Sequence, residues 1–186
     1  MSDVDRVFGE LRALRDLLRK QGEASDVVSF EELAAKTLLL CAASYFERHI
    51  CSSLIQAARE TGSSEVFCSF IEKQALKRKY HTLFDWTKPN ANAFFGLFGQ
   101  SVKEALCDRV SKDEGLESAV REFMFINSQR NKLVHDNFAG TSAEVTFEEA
   151  WTKYNVALKF ADWLPTGLKN AAGAAKVPEQ QANTSQ

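Results

Sequence analysis

Arg130, Asn131 and His135 lie within NSQRNKLVHDN, residues 127–137, and between them they offer the groups that handle a phosphate ester. The guanidinium stays charged and donates through a planar fork that matches two phosphoryl oxygens. The asparagine amide both donates and accepts. The imidazole, with an ordinary pKa of about 6.5, gives or takes a proton near neutral pH. Gathered near one helix end, these three residue types predict a phosphate site. Asn131 and His135 share a face at i, i+4, whereas Arg130 and His135 stand about 140° apart on an ideal helix. A tightened or unwound last turn would bring them together.

The helix that carries them is strongly apolar. At about 100° per residue, Leu116, Ala119, Val120, Ile126 and Val134 fall within roughly 60° of Phe123 and predict one buried stripe. Arg130 lies about 20° from Phe123, inside that stripe, and Asn127 about 40° away. A guanidinium is costly to bury without partners. Either a carboxylate from a neighbouring helix meets Arg130, or that side of the helix lines a polar cleft.

Glu47 is the carboxylate that suggests itself. It ends TLLLCAASYFE, the apolar middle of a second helix from about residue 29 to 61, which predicts the centre of a bundle. The expectation is that Glu47 faces Arg130; the alternative is a surface glutamate paired with Arg48 or Arg59. A third helix, residues 65 to 80, ends in KRKYH. Lys73, Lys77, Arg78 and Lys79 there suit either the helix dipole or an RNA backbone, with Tyr80 placed to stack on a base.

The remaining elements complete an all-α bundle of about five to six helices. The first helix, residues 2 to 20, repeats Val4, Val7, Phe8, Leu11, Leu14, Leu17 and Leu18, with Arg12, Arg15, Arg19 and Lys20 on its solvated side. An aromatic connection, TLFDWTKPNANAFFGLFG, folds onto the bundle, with Gly96 and Gly99 allowing close approach. Further helices cover residues 100 to 110, 114 to 135 and 146 to 164. From Pro165 onward no apolar period remains, so residues 1–164 read as one domain and 165–186 as a disordered tail.

Composition narrows the classes. Hydrophobic residues make up 45% of the 186, enough for a real core, and a formal charge of −2 argues against a general polyanion coat. No apolar run long enough to span a bilayer and no leader pattern is present, which predicts a cytoplasmic protein without membrane contact. Cys41, Cys51, Cys68 and Cys107 lack metal spacing and read as reduced thiols. No metal or other cofactor is expected.

At R-N-K-L-V-H, residues 130–135, the chain resembles the HEPN superfamily, small helical bundles marked by an arginine and a histidine four to six residues later. The S-Y-F-E segment (44–47), the F-F-G-L-F-G connection (94–99) and the motif's place at the end of the penultimate helix resemble the RiboL-PSP-HEPN family. The resemblance covers residues 5 to 164. It implies a metal-independent endoribonuclease of antiviral defence, toxin–antitoxin pairs or RNA processing. It also implies a homodimer whose motif helices face each other, with an antitoxin or regulatory protein among its partners. Arg130 and His135 would be the catalytic pair, Asn131 their polar companion and Glu47 a supporting acid. Some family members have lost activity, so the alternative is a non-catalytic module that binds nucleotide or protein.

RNA brings its own nucleophile, the 2′-hydroxyl, so catalysis needs a base, an acid and charge stabilisation at phosphorus. His135 supplies proton transfer and Arg130 the stabilisation. One histidine cannot be base and acid in a single step; a twofold dimer would supply His135 from each chain.

Overall fold

The computed structural model describes residues 2–22 and 24–175. Its elements are α1 (Asp3–Gln21), α2 (Ala24–Glu60), α3 (Glu65–Phe70), a π-helical segment (Ile71–Leu76), α4 (Lys77–Leu83), α5 (Asn92–Gly96), α6 (Gln100–Ser111), α7 (Glu114–His135) and α8 (Phe147–Ala175). The fold is all-α, with no strand among the described residues. No helix of the described residues is long and apolar enough to cross a membrane.

The 37-residue α2 is the axis of the bundle, packed against α1, α7 and α8. Its apolar middle buries Leu38, Leu39, Ala42, Phe46 and Ile50 completely or nearly so. Phe46 meets Phe123 of α7 edge-on at 5.3 Å, and Phe123 meets Phe160 of α8 at 5.0 Å. Such aromatic contacts contribute about 0.5–1.5 kcal/mol each beyond area burial, so this trio ties the three long helices together.

α1 is turned relative to the sequence expectation. Its inner face runs Val4, Phe8, Leu11, Arg15 and Leu18, while Leu14 and Leu17 are exposed. Arg15, expected on the solvated side, is buried instead. Its guanidinium bonds Glu148 and Asp16, pairs with Glu31 at 3.8 Å and lies over the Phe147 ring, so its charge is met by three carboxylates and an aromatic face. Phe8 stacks on Trp151 at 4.1 Å beside it.

The third helix is not the continuous α-helix expected over residues 65 to 80. It passes through the π segment, where the Lys77 N–H bonds the Glu72 carbonyl five residues back. The aromatic connection behaves as expected: Phe84 stacks on Phe94 at 4.3 Å and on Trp86 at 4.7 Å. Its glycines do not serve close approach, however. A side chain at Gly96 would meet only Lys103 at 3.8 Å, whereas Gly99 holds φ at 95°, a left-handed turn that starts α6.

The expected end of the domain at residue 164 is also corrected. α8 continues through Pro165 to Ala175, because Ala157, Ala161, Leu164, Leu168 and Ala171 keep a four-three-four-three spacing and are all buried. That continued burial outweighs the roughly 3 kcal/mol penalty of an interior proline. Gly167 permits the turn, since a Cβ there would lie 2.5 Å from the Trp163 ring. Of the tail expected over 165–186, residues 176–186 lie outside the described residues.

Candidate phosphate site

α7 begins with Asp113, whose side chain accepts from the Leu116 N–H at 3.0 Å, and buries Leu116, Ala119, Val120, Phe123 and Ile126 as its period predicts. Asn127 belongs to this buried stripe, only 3% exposed, and donates to the Phe123 carbonyl at 2.9 Å. Its amide is thus committed to its own helix. One turn on, Arg130 is half-buried, and Val134, expected inside, is 52% exposed. Leu133 is buried in its stead. The face that is core at Phe123 emerges from the bundle at Arg130.

Arg130 does not meet Glu47. No ion pair within 4 Å joins them, and the guanidinium lies against an amide and an imidazole instead. It donates to Asn131 Oδ1 at 3.1 Å, and its two terminal nitrogens lie 3.4 Å from Nδ1 and Nε2 of His81. A neutral imidazole has one acceptor nitrogen, so at most one of the two contacts is a hydrogen bond. Sequence reading missed His81 as a neighbour, because α4 and α7 are brought together only by the tertiary fold.

Glu47 and Arg130 act instead on the same buried phenol. The Tyr80 hydroxyl is raised well above its usual pKa, first by burial, then by the Cys51 sulfur and the negative charge of Glu47, with Arg130 opposing. Tyr80 is 2% exposed, and its hydroxyl has no hydrogen-bond partner. The expectation that it stacks on a base is therefore corrected: its ring belongs to the core, 6.0 Å from both Phe84 and Trp86. Burial also pushes the neighbouring Cys51 thiol up to about 11, with Glu47 adding to the effect, so that sulfur stays protonated at neutral pH.

His135 is the exposed last residue of α7. This last turn is neither tightened nor unwound. The Asp136 N–H bonds the Lys132 carbonyl in regular i→i−4 fashion at 2.9 Å, so Arg130 and His135 keep the wide angular separation of an ideal helix. Lys132 reaches Glu144 at 2.5 Å and ties the following connection to the helix end. Lys73, Lys77, Arg78 and Lys79 are all exposed. Lys77 pairs with Glu72 at 2.9 Å rather than sharing a stripe with Lys73, a consequence of the intervening π turn. Among the described residues no group of three or more His, Cys, Asp or Glu is arranged to hold a metal ion.

The family model RiboL-PSP-HEPN matches residues 5–170. No curated relative and no solved structure matches the chain.

Proposed function

Because the chain belongs to the RiboL-PSP-HEPN family, we propose that it is a metal-independent endoribonuclease acting as a homodimer. The observation that carries this reading is the half-buried Arg130 guanidinium, flanked by an amide and an imidazole with no carboxylate within ion-pair distance. A fixed cation left uncompensated at the edge of a core favours an anion, and its planar fork suits the non-bridging oxygens of a phosphodiester. A buried structural bridge to Glu47, the competing explanation of this arginine, lacks its ion pair.

In the reaction, a base takes the 2′-hydroxyl proton and the 2′-oxygen attacks phosphorus. The P–O5′ bond breaks and the leaving oxygen takes a proton from an acid. The products are a 2′,3′-cyclic phosphate and a 5′-hydroxyl. Arg130 stabilises the added negative charge, Asn131 orients the fork, and His135 transfers a proton. Since Arg130 and His135 diverge on one helix, His135 enters the cleft from the second copy, across a twofold axis that brings two α7 ends together. The exposed Val134 beside Arg130 is an apolar surface for that contact. Lys73, Arg78 and Lys79 extend a positive margin for the RNA backbone. Cytoplasmic RNA processing, toxin–antitoxin control and antiviral defence all accommodate this activity, with an antitoxin or regulatory protein as a further partner.

A second reading, a binding module that grips a phosphate without cutting it, is favoured by the angular separation of Arg130 and His135 within one chain. An RNA cleavage assay on the purified dimer in excess EDTA separates them. Cleavage with cyclic-phosphate ends, reduced at least about 100-fold in a folded His135→Ala variant, is expected. Binding without cleavage selects the second reading, and cleavage that His135→Ala leaves intact overturns the mechanism.

A further inference from the structure

His81 is the imidazole that lies against Arg130, although 49 positions separate them. Its ring is exposed, so it borders solvent on one side and the guanidinium on the other. The fold fixes its place. The His81 carbonyl accepts from Trp86 Nε1 at 2.8 Å, and the ring meets the edge of the buried Tyr80 at 5.8 Å. The π segment just upstream sets which residues of α4 face α7, because one extra residue per turn rotates everything that follows by about 100°. That register sends Tyr80 into the core and leaves His81 beside the fork.

We propose that His81 is the general base of the cleavage reaction and His135 its general acid, an inference that rests on the ribonuclease reading. A hydrogen bond between this ring and the guanidinium, which has only donors, requires the neutral imidazole, since an imidazolium has only donors too. Neutral imidazole is the form a base requires. When phosphate oxygens take the hydrogens of the Arg130 fork, the ring nitrogen 3.4 Å away retains its lone pair beside the phosphodiester. That lone pair takes the proton from the 2′-hydroxyl as the O2′–P bond forms. The P–O5′ bond breaks, and O5′ receives a proton from the His135 imidazolium. His81 ends protonated and His135 neutral, and proton exchange with water restores both.

This division of labour separates the two histidines experimentally. With the full-length protein and an RNA that the wild type cleaves, His81→Ala is expected to lower kcat at least about 100-fold with KM changed by no more than about threefold. Added imidazole is expected to restore part of that loss. A substrate with sulfur in place of the bridging 5′-oxygen leaves as a thiolate and needs no acid; it is expected to rescue His135→Ala but not His81→Ala. Retention of wild-type kcat in folded His81→Ala, or full activity in His81→Gln, overturns the proposal, because glutamine preserves polar contacts without an imidazole. Rescue of both variants by the thiolate substrate also overturns it by making His81 an acid. A wild type that cuts no RNA removes the ribonuclease reading itself, an outcome distinct from the others.

Discussion

The guanidinium of Arg130 donates to the side-chain carbonyl of Asn131, its neighbour in sequence, at 3.1 Å. Adjacent residues on a helix point about 100° apart, so this contact draws the fork sideways along the helix surface rather than into the core. The pair presents a cation whose orientation is set by a neutral group, leaving its charge for a ligand.

Arg130→Lys therefore tests the fork rather than the charge. An ammonium keeps the cation but loses the planar pair of donors, and cleavage is expected to fall at least about 100-fold. Single-turnover kinetics on a short RNA gives the measurement. A rate near wild type would show that charge alone suffices.

Tyr80→Phe tests the buried phenol. The hydroxyl is buried without a partner, a situation that costs about 1–3 kcal/mol per orphaned group. Its removal is expected to raise the melting temperature by about 2–4 °C and leave RNA affinity unchanged. A large loss of affinity in this variant would reinstate Tyr80 as an RNA contact.

Leu168→Ala tests the helix beyond Pro165. Leu168 is buried against the bundle, and truncation to alanine is expected to lower stability by about 2–3 kcal/mol in denaturant unfolding. An unchanged midpoint would mean that this segment does not pack.

The Lys132–Glu144 tie gives a pH dependence. The Glu144 carboxyl is held below its ordinary value, first by the hydrogen bond from Lys132 and secondarily by that cation's charge, with burial opposing. A carboxyl depressed in the folded state adds stability above its unfolded value of about 4.3 and loses it as pH falls through the lower folded value. Hydrogen exchange across residues 136–146, corrected for intrinsic rates, is expected to show less protection at about pH 3 than at about pH 6. Glu144→Gln should flatten that difference, and equal protection at both pH values in the wild type would refute the tie.

The long helices were legible in the sequence because α7 and most of α8 carry a sustained apolar period and α2 an apolar middle that suits a helix packed against three others, and burial follows an unambiguous pattern. Legibility ended where that condition failed. α1 held two overlapping apolar lines, and the tertiary choice favoured the one containing Arg15. Pro165 read as a stop because the local rule against interior prolines cannot see Leu168 and Ala171 buried further along. The basic run around Tyr80 disguised a core residue whose neighbours point outward. At the site, Arg130, Asn131 and His135 were recognisable as a motif, and the family match covers them. The Arg130–His81 contact was not, since no periodicity links residues on different helices.

The π segment carries a consequence for chain length. Deleting a single residue between Ile71 and Leu76 would let the stretch relax into ordinary helix, with every backbone bond still satisfied. The downstream helix would keep its orientation, because an i→i−5 turn absorbs one residue, and the imidazole and the phenol would stay where they are. In this chain the segment can therefore lose one residue without disturbing the cleft, whereas α4 would turn by about a quarter of a revolution if the π turn closed with its residue count unchanged.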